Sequence, residues 1–594
     1  MKPIGSSPRQ ARAAPVRAGL VLCALVLCSQ VAAAQEQVAR TVHNLSSSGP
    51  GRVRAASEGR VCIFCHASHN TSAMVPLWNR ELSNASYQIY RSSTLDARVQ
   101  QPTGSSKLCL SCHDGTIAMG NIVSQVERIR MASGGYLPAG LTNLGTDLSD
   151  DHPISFVYSG GLAAADRQLV NPGNLGFHVQ LDSDQQVQCT TCHDAHDNTY
   201  GNFLVMDNAS GELCMTCHKM DGWNSSAHRT SNASMADRQL GDWPYRNVAE
   251  NACRSCHRPH SAAGRERLLI FENEEDNCLS CHDGQVARTN IRSEIQKRSA
   301  HDPTRRTGEH DPVEKLGGDR DHVECSDCHN PHAVAKLSRS SRYVPIDETL
   351  AKVKGVSRGG SPVQEARHEY EVCFRCHGDR AVKVDRRIER QSDTDNLRLE
   401  FNPSNPSAHP IVSPSRGSAS ESVSLLSSIP SGTQLRCTDC HNSDDGPRAG
   451  GSGPSGPHGS IYEPLLERNY STRDDTPESL FSYALCYKCH SRTSILNDDS
   501  YRGHKLHVEG VQAPCSACHD PHGVSRAASR GGSDHTHLIN FDLAIVSPER
   551  NTGRMEYRDT GRFSGTCTLT CHNVPHVKAK YGPGIQPKGP NQKP

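Results

Sequence analysis

A short cluster of two cysteines followed by a histidine recurs twelve times along this chain of 594 residues and constrains its fold more than any other feature. Eleven copies have the spacing C-x-x-C-H, and the twelfth has one more residue between the cysteines. The clusters are Cys62-Cys65-His66, Cys109-Cys112-His113, Cys189-Cys192-His193, Cys214-Cys217-His218, Cys253-Cys256-His257, Cys278-Cys281-His282, Cys325-Cys328-His329, Cys373-Cys376-His377, Cys437-Cys440-His441, Cys486-Cys489-His490, Cys515-Cys518-His519 and Cys567-Cys571-His572. This is the attachment motif of haem c: both thiols bond to the porphyrin edge, and the next histidine becomes the first (proximal) axial ligand of the iron.

Other uses of paired cysteines fit this pattern poorly. A zinc site pairs C-x-x-C with a second pair or with two spaced histidines, and it needs no histidine directly after the second cysteine. A redox dithiol occurs once in a domain, and a bridge across two residues makes a poor structural disulfide. We therefore expect about twelve haems c, with the extra residue of the twelfth motif forming a bulge between its two thioether bonds.

The first 34 residues read as an export signal. A basic start precedes a short apolar run over residues 18–28, and a small-residue cleavage site follows at residues 32–34. The run is too short to span a bilayer. Cys23 and Cys28 lie inside it, each after a leucine rather than the small residue that a lipid-attachment site requires. Bacteria attach haem c outside the cytoplasm. We therefore expect the protein to lie in the periplasm, on the outer surface or outside the cell, without a transmembrane anchor.

The composition indicates that the polypeptide cannot form a conventional core. Apolar residues make up 35% of the chain and aromatic residues 5%, with a mean hydropathy of −0.61. So little apolar surface does not offset the entropy lost on folding, so we expect the large apolar porphyrins to form the core and the haem-free chain to be largely unfolded. Basic and acidic residues both number 64, and nothing resembles a basic stripe for nucleic acid. The many arginines suit haem propionates, although a GC-rich genome explains them equally well.

The motifs form six consecutive pairs, which constitute an internal repeat. The expected fold is that of a multihaem cytochrome c: mostly coil with short α-helices, little β-structure, a haem-packed core and an extended haem chain. Glycine-, serine- and proline-rich linkers are expected in the fifth pair. We predict a signal peptide at 1–34, haem pairs at 35–160, 161–235, 236–312, 313–412, 413–500 and 501–577, and a disordered tail at 578–594.

The second (distal) axial ligand decides between an electron carrier and an enzyme. Of 32 histidines, twelve belong to the motifs and twenty do not. Six of these follow a motif histidine by three or four residues: His69, His196, His260, His332, His522 and His576. Three residues span at most about 10 Å, so such a histidine cannot pass round the rim of its own porphyrin. It can reach the iron of a neighbouring haem, and it would then hold two haems close together.

A second set of candidate distal ligands follows the later motif of a pair. Its members are His152, His228, His301, His409 and His504, with His310 and His507 as close substitutes. A proline directly after His152 and His409 stiffens the backbone that presents the imidazole. His458 is a candidate for the ninth haem, whose motif lacks a histidine three residues on. The remaining histidines, expected at the surface, are His43, His178, His322, His368, His535 and His537.

Several segments resemble the doubled-C-x-x-C-H multihaem cytochromes of metal- and sulfur-respiring anaerobic bacteria. They are VCIFCHASHN (61–70), VPLWNREL (75–82), SKLCLSCHDGTIAMG (106–120), CRSCHRPH with CLSCHDG (253–284) and CSACHDPHG (515–523). The resemblance covers residues from about 60 to 577 and implies electron transfer between periplasm and exterior through six-coordinate haems. Two departures from the pattern are the long twelfth motif and the missing third-residue histidine after His441.

These features favour an electron carrier of anaerobic respiration or extracellular electron transfer. Expected partners are other redox proteins, such as cytochromes and quinol-oxidising complexes, an outer-membrane porin, or an extracellular metal or mineral. Histidines near either end could also ligate haems of a second copy in a filament. The alternative is a multihaem reductase of a small nitrogen or sulfur oxyanion with one open haem. Its usual sign, a lysine in place of the motif histidine, occurs in none of the twelve motifs, and no catalytic residue is assigned. A third hypothesis is a metal-storage or haem-scaffold protein without redox traffic.

Overall fold

The chain divides into two compact units, and every motif lies in a described segment. The computed structural model describes residues 37–69, 77–132, 134–235, 243–305, 323–335, 346–379, 388–394, 396–414, 423–430, 432–526 and 534–585. The first unit comprises residues up to 220 with 243–245 and 250–272, and it holds motifs one to five; the second comprises 221–242, 246–249 and 273 onward, and it holds motifs six to twelve. The predicted export signal lies outside the described residues, and the six-module division stays a prediction.

The helices of the described segments are short. The longest, Gly104–His113, has 10 residues, and helices of this length are marginal in water without packing partners. The α-helices are Gly104–His113, Gly160–Asp166, Cys189–Cys192, Glu212–Cys217, Ala227–Thr230, Val248–Asn251, Glu274–Leu279, Ile291–Glu294, Cys325–Cys328, Glu369–His377, Leu397–Glu400, Ala484–Tyr487 and Arg492–Leu496. Much of the remaining chain is turn and coil, so the predicted fold class is confirmed.

Most strands form ladders of only two residues. These are β1 (Gln88–Ile89) with β2 (Asp147–Leu148), β3 (Phe156–Val157) with β4 (Gln186–Val187), β5 (Ser299–Ala300) with β8 (Gly459–Ser460), and β6 (Gly355–Val356) with β7 (Pro362–Val363). One antiparallel sheet is larger and contains β9 (Val546–Ser547), β10 (Glu556–Gly561), β11 (Ser564–Cys571) and β12 (Val574–Tyr581), with β11 paired to the other three. Residues 578–581, assigned to a disordered tail from the sequence, belong to β12, because the Tyr581 hydroxyl is held 2.9 Å from that of Tyr557 on β10.

The apolar core is divided into small clusters rather than gathered in one place. The largest contains seven buried residues, among them Phe64, Met119 and Ile129, and packs against Cys65 and Cys112. Another surrounds Phe374 and packs against Cys437. Because motif cysteines border these clusters, the porphyrins they carry would lie against the apolar side chains. No helix within the described segments is long and apolar enough to cross a membrane.

Buried and half-buried cations bind backbone carbonyls inside or just after the motif turns. Arg80 is fully buried and donates to the carbonyls of Ser111, Ala118 and Met119 at 2.8–3.1 Å. Similar contacts to motif carbonyls are made by Arg390 with Ser516, Arg375 with Asp327, and Lys488 with Asp439. A helical turn leaves its last carbonyls without intrahelical donors, so these cations satisfy them and fix the position of the motif.

We expect Arg80→Gln to lower the free energy of unfolding of the haem-loaded protein by about 3 kcal/mol, because it leaves buried carbonyls without donors. Urea titration followed by circular dichroism measures this loss. The matched control is Arg60→Gln, since Arg60 pairs only with Glu58 at the surface, and exposed pairs stabilise little. Equal midpoints for both variants would contradict the role given to Arg80.

Candidate haem sites

The eleven regular motifs share one local conformation, a short helical turn. In each of nine of them an intramotif hydrogen bond of 2.8–2.9 Å runs from the histidine N–H to the carbonyl of the first cysteine, as from His66 to Cys62. The other two regular motifs lie within the helices Gly104–His113 and Glu369–His377. A helical turn places residues three apart on the same face, so both thiols and the histidine are presented to one body, as two thioether bonds and one axial ligand require.

The twelfth motif has a different conformation. Cys567 and Cys571 both lie in strand β11, and His572 follows in the two-residue turn to β12, where His572 and Asn573 have φ values of 48° and 62°. The Nε2 atom of His572 donates to the carboxylate of Asp474 at 2.9 Å from both oxygens. In the twelfth motif, the histidine next to the second cysteine is therefore hydrogen-bonded to a carboxylate.

Among the described residues, ten pairs of histidine rings face each other at nearly constant separation. Their ring centroids are 6.0–6.4 Å apart. In the first unit the pairs are His43–His113, His66–His196, His152–His218 and His193–His260. In the second unit they are His228–His282, His301–His377, His329–His458, His441–His522, His504–His519 and His507–His576.

This separation fits one metal ion between two imidazoles. A metal–imidazole bond is about 2 Å long, and a ring nitrogen lies about 1.1 Å from its centroid when ring bonds are about 1.3 Å. Two imidazoles on opposite sides of one iron therefore have centroids about 6.2 Å apart. Nine of the ten pairs contain a motif histidine, so the residues present fit a bis-histidine haem in each of these nine places.

The hydrogen bonds of several of these rings use Nδ1 and leave Nε2, the nitrogen that would bind iron, free. The Nδ1 atoms of six described motif histidines donate to backbone carbonyls, as His113 does to Thr142 at 2.7 Å and His193 to Asn202 at 2.9 Å. The same bond orients the facing histidines, for example His301 to Pro457 at 2.9 Å. A bonded Nδ1–H fixes the tautomer whose Nε2 lone pair binds metal, and such outer contacts are typical of metal-ligating histidines.

Burial lowers the pKa of several of these imidazoles, which favours the neutral form that metal ligation requires. Burial, together with the facing His152, lowers the pKa of His218 to about 4. Burial, together with the facing His329, lowers the pKa of His458 to about 3. The pKa of His490 is lowered to about 4 by burial first and by the nearby His409 second.

Consecutive motifs are in contact within each unit, and two kinds of contact alternate. Between pairs, the first cysteines lie close together, as Cys109 does to Cys189 and Cys214 to Cys253. The same contact joins Cys373 with Cys437 and Cys486 with Cys515. Within pairs, the second cysteines lie close, as Cys65 does to Cys112, Cys192 to Cys217, and Cys440 to Cys489. The described cysteines form no disulfide.

Three of the histidines that lie three residues after a motif face an earlier motif rather than their own. His196 faces His66 of the first motif, His260 faces His193 of the third, and His522 faces His441 of the ninth. His332 packs beside Trp223 at 6.2 Å. His69, the corresponding residue of the first motif, is exposed, and no described imidazole faces it.

In the first four pairs, a histidine that precedes the pair faces the second motif of that pair. His152 faces His218, His228 faces His282, and His301 faces His377. His409 lies near His490. His43, expected at the surface from the sequence, precedes the first pair and faces His113. Its position ahead of the pair is the signal that the sequence reasoning missed.

A hydrogen bond connects the two kinds of facing histidine. His43 donates from Nδ1 to the carbonyl of Ala195, the residue before His196. His228 does so to Pro331, before His332, and His409 to Pro521, before His522. His301 donates to Pro457, and the next residue is His458. His458 faces His329 of the seventh motif rather than His441 of the ninth, so it occupies the place that a histidine three residues after His441 would have filled.

The remaining histidines have other surroundings. His178 packs beside Phe177, and His368 stacks on Tyr370. His537 donates from Nε2 to Asp559 at 3.0 Å. His535, expected at the surface, is fully buried and donates from Nδ1 to the carbonyl of Ile539. His310 and His322 lie outside the described residues.

Comparison with known proteins finds the paired motif and two multihaem relatives. A family profile described as the doubled CXXCH motif matches residues 179–222 and 246–287. The chain is similar to the multiheme cytochrome MtrA of Shewanella baltica, with 29% identity over 203 residues, 31% of this chain and 48% of the relative. It is also similar to the high-molecular-weight cytochrome c of Nitratidesulfovibrio vulgaris, with 26% identity over 192 residues, 31% of this chain and 30% of the relative. The chain thus spans about half of one relative and less than a third of the other.

Proposed function

We propose that this chain, a multihaem c-type cytochrome, relays electrons through about twelve covalently attached haems, one at each motif. The observation that carries the proposal is the set of facing histidine rings 6.0–6.4 Å apart. When bound, the haems supply one-electron redox chemistry. The chain attaches them, selects their ligands and sets their order.

The proposed distal ligands follow the pairing of rings, except that His409 is assigned to the tenth motif because it lies near His490. In the first unit, His196, His43, His260 and His152 serve the haems of motifs one to four. In the second, His228, His458, His301, His522, His409 and His504 serve those of motifs six to eleven, in that order. An iron with two imidazoles has no vacant site for substrate, which favours electron transfer over catalysis. The distal role predicted for His332 and for His69 stays a prediction.

The contacts between motifs support a relay in sequence order. Within each unit every motif touches the next through its cysteines or its adjoining turn, as where the Ser326 N–H donates to Glu274 at 3.1 Å. Each distal histidine that reaches back across one motif also holds the haem edges close. Hydrogen bonding and burial that differ between sites would spread the potentials, which suits exchange with several partners.

The proposed location is the periplasm or the cell exterior, because haem c is attached outside the cytoplasm and residues 1–34 read as an export signal. The proposed partners are redox proteins on the donor side, such as cytochromes or quinol-oxidising complexes. On the acceptor side we propose an outer-membrane porin complex or an extracellular metal or mineral.

Protein-film voltammetry and ferric electron paramagnetic resonance of the purified holoprotein test this function. We expect reversible charging by as many electrons as there are haems, over a continuous potential range, and only low-spin ferric signals. When the reduced protein is mixed with a ferric chelate by stopped flow, all haems should be oxidised together rather than one by one in isolation. A high-spin signal in the wild type, together with turnover of nitrite, hydroxylamine or tetrathionate, would support the reductase instead. Slow, isolated reduction of single haems would contradict a relay.

A further inference from the structure

The end of the chain contains a histidine pair that the motif rule does not predict. His507 and His576 face each other with centroids 6.3 Å apart, within the range of the other nine pairs. Neither residue directly follows a motif cysteine. The only motif histidine within this C-terminal sheet region, His572, is engaged by Asp474 through the nitrogen that iron would need.

The β-hairpin explains why His572 is turned away. The turn between β11 and β12 consists of His572 and Asn573, and both have positive φ, as a two-residue type I′ turn requires. In a helical turn, the residue after the second cysteine shares a face with the first cysteine. At a hairpin tip it leaves the face of the strand, and here Asp474 holds it.

The strand register presents His576 instead. His576 on β12 is directly opposite Leu569 on β11, and opposite residues project from the same face. Cys571 lies two residues after Leu569 and therefore shares that face. The imidazole of His576 thus projects beside the cysteines of the twelfth motif.

The facing residue, His507, is fixed by its own segment. It lies in the π-helical turn Leu506–Gly510, a rare conformation that is frequent at functional sites. Its Nδ1 donates to the carbonyl of Gly503 at 2.7 Å, which leaves Nε2 free. His504, three residues earlier, faces His519 of the eleventh motif. One short segment thus offers one imidazole to the eleventh site and one to the twelfth.

We propose that His507 and His576 are the two axial ligands of the haem attached at Cys567 and Cys571, and that His572 is not a ligand. This inference rests on the proposed function, since it assumes that the twelfth motif carries haem. Asp474 acts as a positioning residue that holds His572 at the tip of the hairpin. The proposal also explains why one extra residue between the cysteines is tolerated: the ligand comes from the neighbouring strand.

The test uses full-length holoprotein from a host that matures c-type cytochromes. Wild type, His572→Ala, His576→Ala and His507→Ala are compared by intact mass for the haem count and by ferric electron paramagnetic resonance for spin state. We expect His576→Ala and His507→Ala each to keep the wild-type haem count and convert one haem equivalent from low to high spin. His572→Ala should keep both the count and the low-spin spectrum. His519→Ala, the matched change in a regular motif, should disturb one haem.

A second variant distinguishes the loss of a ligand from a folding defect in the hairpin. His576→Met should retain six-coordinate low-spin iron and add the charge-transfer band typical of methionine ligation. The proposal is overturned if His572→Ala loses a haem or gains a high-spin signal, if His576→Ala leaves the spectrum unchanged, or if wild type carries haem at the eleven regular motifs alone. These results leave the relay function intact, whereas a wild type without any haem overturns both.

Discussion

Produced without haem attachment, the chain will give a far-ultraviolet spectrum dominated by disordered backbone and will show no cooperative melting. The physical reason is the size of its apolar core. Ordering a residue costs about 1.5 kcal/mol, and a fully buried aliphatic or aromatic side chain returns about 1.5–3 kcal/mol. In the described segments, the apolar clusters hold only three to seven buried residues each, and the longest helix has 10 residues.

Circular dichroism of the same chain expressed with and without the haem maturation system measures this effect. The holoprotein should show helical and turn structure that persists on heating, whereas the haem-free chain should already be unfolded at 25 °C. The control for export and cleavage is the intact mass of the haem-free chain. A compact haem-free form with a sharp melting transition would contradict a core built on porphyrins.

The second large effect is expected from His196→Ala. His196 faces His66 at 6.1 Å, so its loss leaves the haem of the first motif with one axial ligand. We expect one haem equivalent to become high-spin in the ferric state and to bind carbon monoxide in the ferrous state, while the haem count stays unchanged. Visible absorption and electron paramagnetic resonance measure both changes.

The matched control is His69→Ala. His69 and His196 occupy the same place after their motifs, but His69 is exposed and faces no described imidazole. His69→Ala should leave the spectra and carbon monoxide binding unchanged. If the two variants behave alike, the pairing of histidine rings does not identify the axial ligands of the haem iron.

The regular motifs and their helical turns follow from the sequence because their information is local. A C-x-x-C-H cluster needs one turn, and its caps lie within a few residues, as Gln188 and Thr191 do around Cys189. The mostly coil fold follows in the same way, from low apolar content and frequent glycine and proline.

The pairing of histidines is not local, and the sequence reasoning reached it only in part. It predicted that a histidine three residues after a motif serves another haem, but not which one, because that depends on contacts such as His522 with His441 across 81 residues of chain. It placed His43 at the surface because no neighbouring motif marks it. His458 was assigned to the nearest motif in sequence, although it faces the seventh.

The twelfth motif shows a conflict between two local patterns. Its cysteine spacing predicts a bulge between the two thioether bonds, yet Thr566, Thr568 and Thr570 alternate as in a strand, and His-Asn follows at the turn. The structure resolves the segment as β11 and β12. The alternation was visible in the sequence, but the prediction for this segment relied on the motif spacing instead.

The central claim is that the polypeptide binds about twelve haems covalently. Intact mass spectrometry of the mature protein, with a pyridine haemochrome assay on the same sample, measures this directly. We predict a mass equal to the processed polypeptide plus about twelve haems, and a haemochrome value that agrees. A colourless product, or one with the mass of the bare polypeptide from a host that matures other c-type cytochromes, would contradict the account.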